Sequence, residues 1–393
     1  MTVSLLRFAA PRGLRVARAE GQYVWDTEGR RYLDFYMGYG AAFLGHRHPR
    51  VVKALEEQLS RYMTITPAFD TDVLDACLDA LGKILPPHLT RVFFLNSGSE
   101  AVELALKLSR KLTGRRKVLA FNNGFHGRTM AALSTTWNPK YREGFEPFPF
   151  EVVFAPFNDV GAVEEKLSEE FAAVIFEPVQ GEGGIIPAKP EFMKAVEKRA
   201  REMGVYVVVD EVQSGFGRTG VVWAHERGGI KPDMLTAAKA VAGGFPASLI
   251  AVTEDVASKV KDTDHGSTYG GNPLALAAIT AATHVLREEN IPEQAEVKGA
   301  MLAEELAPLL QEHGRVFRGL RQAGLMIGID MRTTPTQFIK MLQENGLIGF
   351  KAGLTVLRFL PPYLITRDDI LYAVETIRKT AEEYMRLQPT EKT

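Results

Sequence analysis

The stretch VYVVVDEVQSGFGRTGVVWAHERGGIKPDMLTAAK, residues 205 to 239, constrains this chain more than any other. It opens with consecutive apolar residues, mostly β-branched, and reaches Asp210. A half-exposed strand would alternate, so an unbroken run this short reads as a strand covered on both faces. Open α/β sheets bind ligands beyond the carboxyl ends of such strands, which is where Asp210 stands. A shorter strand over residues 233 to 239 brings Lys239 up from the same sheet, so that Asp and Lys face one crevice. Apolar surroundings penalise a charged amine and lower its pKa, which makes it a nucleophile toward a carbonyl. A plainer reading stays open for these two residues alone: a partly solvated lysine, and a carboxylate that ends a strand.

The same stretch contains GFGRTG, whose Gly215, Gly217 and Gly220 match the dinucleotide-binding pattern G-x-G-x-x-G, with Asp233 downstream as its acidic partner. That pattern needs its last glycine to open a helix. VVWAHERGG has no amphipathic period, so the match is read as false, and an NAD-dependent dehydrogenase is kept as the distant alternative.

Other strand ends carry chemistry too. Residues 92 to 112, VFFLNSGSEAVELALKLSRKL, read as strand, tight turn and amphipathic helix, with Ser97 and Glu100 in capping-box spacing. The backbone of Gly98 and Ser99, the Ser99 hydroxyl and the positive helix end form an anion site, or else simply a capped helix. KVLAF leads into NNGFHGRTM, where Phe125 offers an aromatic shelf and Arg128 a two-pronged cation. AAVIFEPV and the QGEGG that follows place Glu177 and Glu182 at another strand end. Proline and glycine bracket a helix over 190 to 204, and Asn272 and Pro273 open another. Ser267 and Thr268 in the turn before it are candidates for phosphate contact. Succeeding βα units predict an α/β fold with a mainly parallel, doubly wound sheet.

The outer parts of the chain differ in character. Residues 21 to 36 alternate aromatic and polar positions around Thr27-Glu28-Gly29, a hairpin pattern, and Pro49 starts a helix with Val52, Leu55 and Leu59 on one face. From about residue 290, charged amphipathic helices and short strands take over, and Arg358 interrupts the apolar strand TVLRFL. It pairs with a buried acid or waits for an anionic ligand. The division read from this is 1–48 and 290–393 for a smaller α+β domain, and 49–289 for a large one.

A formal net charge of −1, without long runs of like charge, gives no electrostatic footprint for nucleic acid or an anionic membrane. One cysteine, Cys77, rules out an internal disulfide, and no signal peptide or membrane-length apolar span is visible, so the cytoplasm is expected. The histidines are scattered without partners at ligand spacing, so no metal site is expected.

Taken together, NSGSEAVE, GFHGRT, EPVQGEGG, DEVQSGFGRTG, AAK, HGSTYGGNPLA and LRFLPP follow one another as in the class III aminotransferases, which the chain resembles over nearly its whole length. These are enzymes of fold type I that depend on pyridoxal 5'-phosphate. Within the class, the resemblance is strongest to acetylornithine aminotransferases and to relatives acting on the semialdehyde of a carrier-linked aminoadipate or glutamate, in lysine and arginine biosynthesis. Ornithine or 4-aminobutyrate aminotransferases and aminomutases of the class are the alternatives. The resemblance implies that Lys239 holds the cofactor covalently and moves the proton, Asp210 keeps the ring nitrogen protonated, Gln213 meets the ring hydroxyl and Phe125 stacks on the ring. It implies phosphate contacts from Gly98 and Ser99, with Thr268 supplied by the second subunit of a homodimer. Arg128 and Ser267 match substrate contacts, Arg358 the α-carboxylate binder and Glu182 its cover. Glutamate and 2-oxoglutarate would be small substrates, and an acidic amino-group carrier protein a partner, met by a basic rim for which Lys140, Arg142 and Arg47 are candidates. The chain departs from the class at AVAGG and PASL after Lys239, where a glycine triplet and PIGA are usual.

Overall fold

The computed structural model describes residues 3–66 and 68–387. Its centre is a seven-stranded sheet whose order in space is Leu89–Leu95, Ser248–Thr253, Met234–Ala237, Tyr206–Asp210, Phe171–Phe176, Lys117–Phe121 and Glu151–Ala155. Only the Ser248–Thr253 strand runs against its neighbours; the rest of the sheet is parallel. Successive residues of the middle strand enter different cores. Val207 and Val209 pack with Leu119, Phe176 and Phe192 on one face. Val208 packs with Val102, Ala105 and Ile175 on the other. Helices thus cover both faces, which is why these strands read as apolar runs without alternation.

The caps are those the residues dictate. Ser97 accepts from the Glu100 N–H while the Glu100 side chain returns to the Ser97 N–H, starting the Gly98–Thr113 helix. Pro190 opens and left-handed Gly204 closes the Pro190–Met203 helix, and the Asn272 side chain caps the Pro273–Glu288 helix. After Gly220 no α-helix follows; bends lead to a short 3₁₀ turn at Ala224–Gly228, so the dinucleotide pattern lacks the helix it requires.

Two smaller sheets flank this core. Residues Val16–Glu20, Tyr23–Asp26 and Arg31–Asp34 form a meander, completed by Leu347–Ile348 lying parallel to the third strand with Leu33 opposite Leu347. An antiparallel sheet, Phe317–Ala323, Met326–Met331, Val356–Phe359 and Phe350–Ala352, carries Arg358. The helices Ile291–Glu312 and Arg367–Leu387 complete this region. Among the described residues no helix is long and apolar enough to cross a membrane.

The Pro49–Leu59 helix forms where Pro49 starts it, with Val52, Leu55 and Leu59 on one face, though that face is not its most buried one. Within the single chain it buries Val51 and Gln58, whereas Val52 and Leu55 are half-buried and Leu59 is exposed. Its packing against the Pro273–Glu288 helix selects a stripe rotated away from the most apolar one.

Candidate active site

Tyr206–Asp210 and Met234–Ala237 are parallel neighbours with Asp210 opposite Thr236, so Asp210 and the nearby Lys239 emerge on one sheet edge. Both line a cavity of about 370 Å³ that also takes in Ser97, Gly98, Ser99, Phe125 and Gln213. Lys239 begins a single 3₁₀ turn with φ of 50°. This left-handed backbone costs a residue with a Cβ roughly 1–2 kcal/mol. Burial pushes its amine below the ordinary lysine pKa, against the opposing pull of Glu182 and Asp210. An amine so placed spends more of its time uncharged, with its lone pair free.

Asp210 is buried and held at both oxygens: Oδ1 accepts the Val212 N–H at 3.1 Å, and Oδ2 lies 2.7 Å from His126 Nδ1. An ionised carboxylate only accepts, so Nδ1 carries the proton. His126, read from sequence as a scattered loop histidine, is instead the partner that orients Asp210. Its signal was its place in GFHGRT, five residues past the end of the Lys117–Phe121 strand, whose neighbour two strands away ends in Asp210.

At the other end of this cavity Glu100 takes the N–H groups of Asn96 and Ser97, at 2.7 and 3.2 Å. The next N–H groups, of Gly98 and Ser99, lie in the first helical turn, which has no internal acceptors for them. A Cβ on Gly98 would stand 2.7 Å from a Val212 methyl, so the close approach there needs glycine. Ser99 Oγ accepts the Arg128 N–H at 3.0 Å. Ser267 and Thr268 are not brought to this cavity within one chain: Ser267 Oγ accepts the Gly270 N–H at 2.8 Å and Thr268 is exposed.

A second cavity, about 780 Å³, shares Phe125, Glu182 and Lys239 with the first and opens outward past Tyr39, Trp137 and Tyr141. Beside it lies Arg358, wholly buried, which donates to Glu182 Oε1 at 2.5 Å and Gln213 Oε1 at 3.1 Å, with Phe350 4.2 Å beneath its plane. Its Nε is buried without a partner. The Glu182 side chain keeps 26% of its surface exposed, so the acid covering the arginine sits where solvent and ligands reach it. Of the expected rim, Lys140 lines the mouth, joined by Arg128 and by Lys351, which sequence reading passed over. Arg128 lies 3.8 Å over the Tyr141 ring. Arg142 and Arg47 do not line it: Arg142 turns onto Phe154 at 4.9 Å, and Arg47 is exposed on the loop before Pro49.

A family model described as aminotransferase class-III matches residues 8–381. The chain belongs to the class-III aminotransferases. It is 49% identical over 377 residues to a LysW-aminoadipate semialdehyde/glutamate semialdehyde transaminase of Sulfolobus acidocaldarius, covering 96% of this chain and 97% of that one. Among solved structures, an ornithine aminotransferase of Toxoplasma gondii matches with a TM-score of 0.91 at 32% identity, covering 98% of this chain and 93% of that one. An acetylornithine aminotransferase of Elizabethkingia anophelis gives 0.82 at 31%, covering 96% of each.

As a class-III aminotransferase the protein uses pyridoxal 5'-phosphate, and its fold is that of the class. The smaller cavity suits that cofactor by its donor set. Its lining combines a helix start whose first N–H groups lack helical acceptors, for a phosphate, with a buried carboxylate for a ring nitrogen and an amine of lowered pKa.

Proposed function

We propose that this aminotransferase passes an amino group between glutamate and the terminal semialdehyde of an amino acid whose α-amine is blocked by an acidic carrier protein, in lysine or arginine biosynthesis. The observation that carries the reading is the covered arginine. A buried guanidinium without a counter-charge costs roughly 3–5 kcal/mol, so Arg358 needs a carboxylate in both half-reactions. Glutamate brings one and displaces Glu182; a terminal amine or aldehyde brings none, and Glu182 stays.

Bound pyridoxal phosphate supplies the electrophilic carbon and the electron sink. The chain does the rest. Lys239 provides the amine that anchors the cofactor and carries a proton, worth about 10²–10⁴ in rate. Asp210, steadied by His126, holds a proton at the ring nitrogen; Phe125 supports the ring and Gln213 lies at its oxygen. Gly98 and Ser99 hold the phosphate, and Thr268, exposed in one subunit, completes that site in the other subunit of a homodimer. Ser267 in the same turn, and Arg128 at the mouth, contact substrate. The single free cysteine, Cys77, suits the cytoplasm.

The carrier is read from the relatives' substrate and from the mouth, where Arg128, Lys140 and Lys351 share the lining, among the described residues, with one acid, Glu182, already engaged by Arg358. Acetylornithine would fit as a weaker surrogate. The test is kcat/KM for carrier-linked substrate and acetylornithine at low and high salt, with Lys140→Glu and Lys351→Glu. Only the carrier-linked reaction should weaken steeply with salt and with charge reversal. A preference for acetylornithine, with equal salt dependence, points instead to the free-substrate arginine branch.

A further inference from the structure

Glu177 lies just past the Phe171–Phe176 strand, buried, between two loops that carry opposite halves of the site. Its Oε1 accepts the Phe125 N–H at 2.9 Å, and its Oε2 accepts the Gly181 N–H at 3.1 Å. Phe125 borders both cavities; Gly181 precedes Glu182, the cover of Arg358. Gly181 lies so close to Gln213 that no side chain fits there, because a Cβ would stand 2.0 Å from Gln213 Oε1. Beyond it, Glu182 O accepts the Gly353 N–H at 2.8 Å. The backbone on either side of Glu182 is therefore fixed, and its side chain alone is left to turn.

We propose that Glu177 is a positioning residue: one carboxylate, gripping a backbone N–H of each loop, sets the distance between the aromatic shelf at Phe125 and the Glu182–Arg358 pair. It borders the smaller cavity, but both of its oxygens are engaged by these two N–H groups, so it acts through the loops it holds. Both of its oxygens must accept, so a glutamine of the same size cannot replace it, since its amide group would turn a donor toward one of the two N–H groups. The inference rests on the roles proposed above for Phe125 and Glu182, yet it is tested without them.

In Glu177→Gln, amide hydrogen exchange of the substrate-free protein, taken well above neutral pH where the wild-type carboxyl is ionised and followed by mass spectrometry, should speed up at Phe125 or Gly181 by roughly tenfold or more, the worth of a lost hydrogen bond to a charged acceptor. Amides of the Tyr206–Asp210 strand should keep their protection. The apoprotein should bind pyridoxal phosphate roughly tenfold more weakly, and the ratio of the two half-reaction rates should change. Unchanged exchange at both amides, or faster exchange spread evenly over the central sheet, overturns the proposal. Should the variant fail to fold, the wild-type protein decides: slow exchange at both amides is expected, and fast exchange at either overturns it. Phe125→Leu and Glu182→Gln, assayed by activity, test the proposed roles of those residues separately, so failure of that reading leaves its own mark.

Discussion

Replacing Glu182 with alanine removes the only carboxylate, among the described residues, that pairs with a guanidinium having no exposed surface. The full cost of stranding a buried charge is about 3–5 kcal/mol. Here Gln213 Oε1 and the Phe350 face remain as partners, and the vacated site lies in an open cavity where water enters, so about 2–3 kcal/mol is the better expectation. That loss falls on the substrate-free enzyme and on the complex with a terminal amine. It is largely absent from the glutamate complex, whose own carboxylate reaches Arg358. At 1.4 kcal/mol per tenfold, kcat/KM of the terminal-amine half-reaction should fall by roughly 30- to 150-fold relative to that of the glutamate half-reaction. The glutamate half-reaction should hold its rate and bind glutamate more tightly, having no Glu182 to displace. Single-turnover kinetics of each half-reaction, followed by the cofactor's absorbance, read both numbers. Equal losses in the two halves would refute the exchange of partners at Arg358.

Lys239→Ala should lose at least about 10²–10⁴ in turnover with an unchanged far-ultraviolet spectrum; near-normal turnover would end the assignment of the lysine. Asp210→Asn should keep the fold but lose most activity, because a neutral amide cannot hold the ring nitrogen protonated and turns one end awkwardly toward His126; ring protonation and rate both unchanged would remove that role. Burial raises the Glu177 carboxyl to about 7, with Asp210 adding to the rise and His126 and two backbone N–H groups opposing it. A carboxyl raised in the folded state binds its proton more tightly there than in the unfolded chain, so it weakens folding as pH climbs from about 4.5 to about 7 and has no further effect above. The stability of Glu177→Gln relative to wild type should therefore climb across that window, by up to about 3 kcal/mol, in urea titrations of apoprotein. Parallel pH profiles for the two proteins would contradict this.

What could be read from the residues alone was whatever local chemistry dictates. An apolar run ending in Asp210, the Ser97–Glu100 box and the Pro190 and Gly204 boundaries each follow from neighbours within a few positions, and the structure has them where they were expected. Arg358 was legible as a question, a cation in an apolar strand, and the structure answers it with Glu182, 176 residues away. Long-range partners had no local signature. The place of His126 beyond a strand end puts it on the same sheet edge as Asp210 but does not say that their side chains meet, and Lys351 reaches the mouth beside Lys140 only because an antiparallel sheet folds back there. Arg142 looked like a rim cation by position, but its neighbour Tyr141 takes the cavity side and Arg142 packs onto Phe154. The Pro49–Leu59 helix and its apolar face were legible, but not which of its stripes a single chain covers, since apolar periodicity does not say that.

Arg218 belongs to the loop after Asp210 and is fully buried with no acid beside it; burial lowers its pKa to about 9. Its guanidinium donates to the carbonyl oxygens of Gly40 at 2.7 Å, Pro361 at 3.2 Å and Leu325 at 3.3 Å, and lies 4.2 Å over the Phe43 ring. Three acceptors from far-apart parts of the chain must be in place before this cation is satisfied. On the ribosome, the early segment around Gly40 therefore waits for residues beyond 361 to emerge, just as the Arg31–Asp34 strand waits for Leu347. A nascent chain stalled short of that point holds a core that cannot close, which makes this a protein completed late in synthesis and one that no cut between 218 and 361 would divide into two stable halves.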